Sequence, residues 1–175
     1  MVKKRKIQKE KFTKFKSVSD LPEEEVKLFD TAFDKLKDAY APYSNFHVGA
    51  ALLLEDGTIV GGSNQENASY GLSMCAERVA LFNSGANFPD KAVKKLVVVT
   101  KNYNDTNVKP QDENRILAPC GACRQVIMEY ESRFGQDIEI ILMDAKGKVY
   151  KFDTVKQLLP FAFGGYFLTP NEPKK

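Results

Sequence analysis

Apolar positions recur along this chain with two different periods, and their alternation predicts the architecture. Val26, Phe29, Phe33 and Leu36 stand three or four residues apart, the spacing of a helix with one buried face. Asp20 is suited to cap that helix, Pro22 to its first turn, and Glu23, Glu24 and Glu25 to its positive end. The segment Tyr40 to Ser44 ends it. Val48 to Leu54 is then a continuous apolar run closed by Glu55-Asp56-Gly57, with Thr58 to Gly62 as the return strand of a hairpin. A second helix, capped by Ser73, runs through Cys75, Glu77, Val79 and Leu81, and Gly85 is expected to stop it. Leu96 to Thr100 is a short buried strand, and Pro119 opens a third helix carrying Cys120, Cys123, Val126 and Ile127. Ile138 to Met143 and Val149 to Phe152 are two more strands around an Asp144 to Gly147 turn, followed by a short helix from Val155 to Leu159. Strands alternating with helices predict an α/β fold: a three-layer α/β/α sandwich around a mixed, roughly five-stranded sheet. In such a fold the two cysteine-bearing helices lie side by side with their N-termini close together.

Composition changes the picture in one place. The 175 residues carry a formal net charge of +3, but eight of the 26 basic side chains fall among residues 1–16, beside a single acid, Glu10. The remainder holds 18 basic against 22 acidic residues and is mildly acidic. The division that follows is a basic N-terminal extension, residues 1–20, and a single catalytic domain, residues 21–175. The extension is open to two readings, a solvated tail or an edge strand docked on the body. The polar stretch Asn102 to Arg115 lacks periodicity and is expected to be a long loop. An acidic body argues against gripping a phosphate backbone, so no nucleic-acid partner is expected. No apolar run approaches the roughly 20 residues of a membrane span, and no apolar signal core follows Lys3, so a cytoplasmic protein without a membrane partner is expected.

The chemistry is concentrated at the three cysteines, Cys75, Cys120 and Cys123. Three thiolates bind Zn²⁺ and leave a fourth tetrahedral position open, and Glu77, two residues after the first cysteine, is placed to move a proton there. Cys120 and Cys123 project from one face of a helix start, where thiol pKa values fall. Zinc with three thiolates is over-supplied with negative charge; Arg78 is the candidate cation to relieve this, and Gln125 a donor to the sulfurs. Two blander readings of the CxxC pair stay open from spacing alone. A structural zinc site needs a fourth ligand, such as the sole histidine, His47, whose place before an apolar strand favours packing instead. A redox pair leaves Cys75 and Glu77 unexplained.

Five segments in order carry a family resemblance: Tyr43-Ser44-Asn45-Phe46-His47-Val48-Gly49-Ala50-Ala51, Asn64-Gln65-Glu66-Asn67-Ala68, Cys75-Ala76-Glu77-Arg78, Pro119-Cys120-Gly121-Ala122-Cys123-Arg124-Gln125, and Leu158-Leu159-Pro160 leading to Phe163-Gly164. From about Pro22 to Gly164 the chain resembles the small, homotetrameric class of cytidine deaminases with three-cysteine zinc sites. The resemblance implies a zinc cofactor on Cys75, Cys120 and Cys123, and a small nucleoside as substrate. It implies that Glu77 takes a proton from the attacking water, delivers it to N3 of the pyrimidine and then protonates the leaving amine. Asn64 and Glu66 match positions that hold ribose hydroxyls, Phe46 flanks the base, and the Ala76 backbone reads its edge. Ala68, Tyr70 and Phe163 match positions that complete a neighbouring subunit's pocket in a homotetramer.

The activity so implied is hydrolytic deamination of cytidine and 2′-deoxycytidine to uridine and 2′-deoxyuridine with release of ammonia, in pyrimidine salvage. A deaminase of another cytosine-bearing small molecule, such as blasticidin S, shares the cysteine motifs but not the Asn64-x-Glu66-Asn67 grip. A nucleic-acid deaminase would need a basic body and a channel for the strand. A zinc-stabilised binding module without activity would leave Glu77 and the open ligand position without a purpose.

Overall fold

The structure, a computed structural model, describes residues 12–102 and 116–168. Most of residues 1–20 and of the polar stretch Asn102 to Arg115 therefore lies outside the described residues. The elements run β1 (Thr13–Phe15), α1 (Glu23–Lys35), β2 (Phe46–Leu54), β3 (Ile59–Ser63), α2 (Ala76–Asn87), β4 (Val93–Asn102), α3 (Gly121–Phe134), β5 (Glu139–Met143) and β6 (Val149–Phe152). They form one six-stranded sheet in the order β1-β6-β5-β4-β2-β3, with β4 and β5 parallel and the other neighbours antiparallel. No helix among the described residues is long and apolar enough to cross a membrane.

Strand alternation sends side chains to two separate cores. On one face Leu28, Phe29 and Ala32 of α1 pack on Ala51, Leu53, Val97 and Ile141. On the other, Ala76, Ala80 and Leu81 of α2 and Ile127 of α3 pack on Ala50, Leu52, Leu96 and Ile140. This is the expected three-layer sandwich, with α2 and α3 side by side. The first core also holds a buried charge cluster: Glu25, 1% exposed, accepts from Lys95 at 2.6 Å and Lys151 at 2.9 Å.

The sheet gains a sixth strand because part of the basic extension pairs with β6: Thr13 lies opposite Lys151 and Phe15 opposite Val149. Two apolar rings in an otherwise charged segment supply the anchor. Other boundaries shift for local reasons. Pro22, not Asp20, caps α1; the Asp20 carboxylate instead accepts from the Ser17 backbone in a preceding 3₁₀ turn. Ser73 does not cap α2, because its hydroxyl accepts from the Asn67 backbone, and Cys75 takes the cap position. Gly85 does not end α2, which continues to Asn87. The Tyr130 hydroxyl, donating to the Leu81 carbonyl at 2.5 Å, occupies the space a side chain at 85 would need. The segment from Val155 is a single 3₁₀ turn ending at Gln157.

Candidate metal centre and its pocket

Two helices deliver the three sulfurs. Cys75 and Cys120 are the N-cap residues of α2 and α3, with extended backbones (φ −73°, ψ 150° and φ −65°, ψ 167°), and neither side chain caps its own helix. Their carbonyls already accept the first helical bonds, from Val79 at 3.1 Å and Arg124 at 2.9 Å. The unpaired amides of each first turn therefore surround the sulfurs with positive partial charge. Cys123, one turn into α3, is fully buried. The Cys75 and Cys120 sulfurs lie 3.8 Å apart and those of Cys120 and Cys123 3.4 Å apart; all three lie within 4.8 Å of one another. Tetrahedral zinc with Zn–S bonds of about 2.3 Å places its sulfurs about 3.8 Å apart, so the cluster fits that ion. Among the described residues the donor cluster holds these three sulfurs alone, which leaves the fourth position for a non-protein ligand.

The electrostatics favour a thiolate at the entrance to α2. Hydrogen bonding from the Cys123 thiol, with Arg78 and Cys120 adding to it, outweighs burial and lowers Cys75 to about 5. Cys123 moves the other way, because its proton is the one shared with Cys75 and because burial and the nearby Glu77 charge oppose ionisation. Arg78 sits 3.7 Å from the Cys75 sulfur and 3.4 Å from the Ser73 carbonyl, and the Cys75 thiolate raises its pKa further. Glu77, in the first turn of α2, is 5% exposed. Burial is the main reason its pKa is raised, although its own backbone amide opposes the shift and the Cys75 charge reinforces it. A buried carboxyl beside the metal cluster can take a proton from one group and return it to another.

The cluster opens onto a cavity of about 470 Å³. That volume is within the range of small-molecule pockets. Phe46 and Val48, two residues apart on β2, line it together with Val98 of the neighbouring strand. Cys75, Glu77 and Cys120 line the cavity beside the metal cluster, and Asn64, Glu66 and Tyr70 contribute further polar wall. Asn64 is 9% exposed and its amide is committed to β2: Nδ2 donates to the Phe46 carbonyl at 2.9 Å and Oδ1 accepts from the Val48 amide at 2.8 Å. Glu66 Oε2 accepts from the amides of Tyr43 (2.9 Å) and Ser44 (3.2 Å), and Oε1 from the Tyr70 hydroxyl at 3.4 Å. Burial pushes the Glu66 carboxyl up, but these bonds outweigh it and hold the group below the usual range. Between Glu66's partners and Phe46, Asn45 adopts a left-handed φ of 53°, which asparagine tolerates. This polar wall and the segment leading to Cys75 are joined through the backbone: Gln65 and Met74 exchange two hydrogen bonds, each of 2.8 Å.

The structure thus brings Cys75, Cys120, Glu77, Phe46, Asn64, Glu66 and Tyr70 around one cavity, with Cys123 buried beside the other two sulfurs. Ala76 is fully buried beneath the first turn of α2. Ala68 is exposed in the loop beyond Glu66. Phe163 lies apart from the cavity, 56% exposed and stacked on Phe167 at 5.7 Å. Gln125 donates to the Phe163 carbonyl at 2.6 Å instead of to a sulfur. Sequence reasoning overlooked Val48, Val98 and Leu117 in the lining. Val48 was within reach, because strand alternation puts it on the face of Phe46; Val98 needs the strand register, and Leu117 needs the placement of the loop before Pro119.

A family profile described as the cytidine and deoxycytidylate deaminase zinc-binding region matches residues 22–134. A cytidine deaminase of Halalkalibacterium halodurans is 41% identical over 136 residues, 78% of this chain and 91% of that protein. The crystal structure of a cytidine deaminase from Burkholderia pseudomallei superposes with a TM-score of 0.65 at 39% identity, covering 79% of this chain and 98% of that one. A blasticidin-S deaminase of Bacillus cereus is 26% identical over 144 residues, 82% of this chain and 95% of that protein.

Proposed function

The chain belongs to the cytidine and deoxycytidylate deaminase family, and from that premise we propose that it hydrolyses cytidine and 2′-deoxycytidine to uridine and 2′-deoxyuridine, releasing ammonia for pyrimidine salvage. The observation that carries this reading is that the three-sulfur cluster, through Cys75 and Cys120, shares one cavity with the buried Glu77 and with Asn64 and Glu66.

Cys75, Cys120 and Cys123 hold zinc, which when bound supplies the Lewis acidity that makes water nucleophilic near neutral pH. Glu77 takes the proton of the attacking water and passes it to N3 of the pyrimidine as oxygen adds at C4. The same carboxylate then takes the remaining proton of the added hydroxyl and gives it to the C4 amine, so the C4–N bond breaks, ammonia leaves and the C4 carbonyl forms. The Ala76 backbone meets the base edge, and Phe46, Val48 and Val98 exclude water around the ring. Arg78 offsets the charge of the thiolates, and Gln125 ties α3 to the C-terminal segment through the Phe163 carbonyl. Glu66, kept ionised by its amide donors, and Asn64 grip the ribose hydroxyls.

Two features favour a free nucleoside. No lysine or arginine is among the described residues that line the cavity, and two carboxylates are, so a 5′-phosphate finds no counter-charge there. The same lack argues against a polynucleotide. Tyr70, Leu72 and Leu117 and, on the C-terminal segment, Phe161, Phe163 and Phe167 are exposed apolar side chains, which supports a homotetramer in which Ala68 and Phe163 complete a neighbour's pocket, while Tyr70 lines the cavity of its own chain. Three free cysteines gathered in one cluster support a reducing, cytoplasmic setting.

The test is a panel of cytidine, deoxycytidine, cytosine, CMP, blasticidin S and single-stranded DNA, with and without a strong chelator. Chelator-sensitive ammonia release from the two nucleosides is expected. Release confined to blasticidin S or CMP would overturn the assignment.

A further inference from the structure

With Glu77 read as the proton carrier, we infer that Gly62 is a positioning residue that sets the distance between the two halves of this site. The strand β3 passes directly beneath the first turn of α2 at Gly62. A Cβ at position 62 would lie 2.5 Å from the Ala80 nitrogen, 2.7 Å from the Ala76 carbonyl oxygen and 2.9 Å from the Ala80 Cα. All three are backbone atoms, so no rotamer change relieves the contact; the helix itself has to lift. Ala76 stands between Cys75 and Glu77, and its carbonyl is one of the atoms that rests on Gly62.

Both halves of the site hang on this contact. Two residues beyond Gly62 the same strand delivers Asn64, and then Glu66, to the wall of the cavity. The helix above it delivers a sulfur and the proton-carrying carboxyl. The Gln65–Met74 backbone pair ties the two halves at one point and Gly62 fixes them at a second. One point on the helix and one in the segment leading into it set where Glu77 sits relative to a substrate held by Asn64 and Glu66. The adjoining Gly61 gives the contrast: on the opposite face of β3, a Cβ there meets only methylene carbons of Lys35, which can swing away.

Four measurements on Gly62→Ala and Gly61→Ala, in the full zinc-loaded chain, test the inference: kcat and KM for cytidine, zinc affinity against a competing chelator, the visible absorption of the cobalt-substituted protein, and thermal melting. Gly62→Ala is expected to lower kcat about tenfold to a hundredfold with KM changed far less, because misplacement of a proton carrier by a fraction of an ångström acts on the chemical step. Zinc affinity falls about tenfold and the cobalt band shifts, because a sulfur moves with the helix. Gly61→Ala keeps all three near wild type. Should Gly62→Ala fail to fold, Ala50→Val carries the same test with a smaller expected effect. Ala50 is the cross-strand partner of Gly62 and packs in the same buried cluster as Ala76 and Ala80. A folded Gly62→Ala or Ala50→Val protein with wild-type kcat and cobalt spectrum would overturn the inference, as would losses matched by Gly61→Ala. If the wild-type protein releases no ammonia, the deaminase reading fails by itself, and the metal measurements still decide the role of Gly62.

Discussion

The side-chain oxygen of Asn64 accepts the backbone amide of Val48 at 2.8 Å, and its amide nitrogen answers by donating to the Phe46 carbonyl. One side chain beyond the end of β3 therefore continues the ladder of β2 and stiffens the strand that carries the apolar pocket wall. The residue has two tasks, to hold Phe46 and Val48 in place and to offer its remaining donor capacity to the ribose. Asn64→Ala is expected to raise KM for cytidine about tenfold or more. It should also cost roughly 1–3 kcal/mol in stability, because two buried backbone groups lose their partner. Parallel Michaelis–Menten and urea-denaturation series separate the two effects; an unchanged KM would remove Asn64 from the substrate grip.

Glu77 is the residue on which the chemistry depends most. Glu77→Gln keeps the shape and removes the proton shuttle, so kcat should fall on the order of 10²–10⁴-fold while zinc content stays near one per chain. Ammonia release together with metal analysis of the purified variant checks both halves. Substantial activity in Glu77→Gln would falsify the assigned role.

Much of this was legible in the sequence because the informative residues lie close together in it. Cys120 and Cys123 stand three apart at a helix start, so spacing alone put that pair on one face, while Cys75 and Glu77, two apart, were placed by spacing only in one turn. The spacing of Val26, Phe29 and Phe33 located α1 but not its buried face, which is Leu28, Phe29 and Ala32, with Phe33 37% exposed. What spacing could not supply were choices between competing partners for one polar group. The hydroxyl of Ser73 had a loop amide within reach as well as a helix end, and it took the loop amide. The side chain of Gln125 had the sulfurs and the C-terminal segment within reach, and it bonds Phe163. The glycine at position 85 looked like a stop because its packing partner, Tyr130, lies 45 residues away in sequence. Such outcomes depend on tertiary distance.

Arg78 offers a charge argument that metal analysis can settle. Its guanidinium lies beside the Cys75 sulfur but supplies no metal ligand. Arg78→Gln should therefore reduce kcat more than it reduces zinc affinity, because the thiolates' excess charge then goes uncompensated while all three donors remain. An equal loss in the two quantities would make Arg78 a structural support.

The buried Glu25 links stability to pH. Burial pushes its carboxyl up, but the hydrogen bonds and charges of Lys95 and Lys151 outweigh this and hold it below the usual range. A group whose folded pKa is depressed contributes stability above its unfolded value, near 4.5, and loses it as pH falls through the folded value. Glu25→Ala, which leaves Lys95 and Lys151 to share Glu139, with Glu24 also beside Lys95, is expected to cost about 1–3 kcal/mol at pH 7. The gap to wild type should narrow as the buffer is taken below about pH 4. Denaturation midpoints at several pH values report the gap directly, and a gap constant with pH would show that packing, not charge, carries the loss.

The strand contributed by the basic extension makes the last prediction. Phe12 packs against Tyr150 and Phe152 with ring centroids 5.6 Å away in each case, and Lys14 lies over Tyr150 at 5.1 Å. Phe15, on the other face, lies under Lys151 at 5.6 Å and joins the α1 core. Three residues of pairing make a weak ladder by themselves, so these rings are what hold β1 on the edge of β6. The strand points Phe15 toward the pocket end of the sheet, where Phe46 begins β2, and Thr13 away from it. β1 therefore begins at the end of the sheet opposite the cavity and is held there by its rings, which fits a stabilising role for this strand. Phe12→Ser with Phe15→Ser should lower the melting temperature and speed hydrogen exchange at the amides of β6, with a cost of roughly 1–3 kcal/mol. It should leave kcat and KM for cytidine unchanged; a variant that melts as wild type but loses activity would instead tie the extension to the reaction.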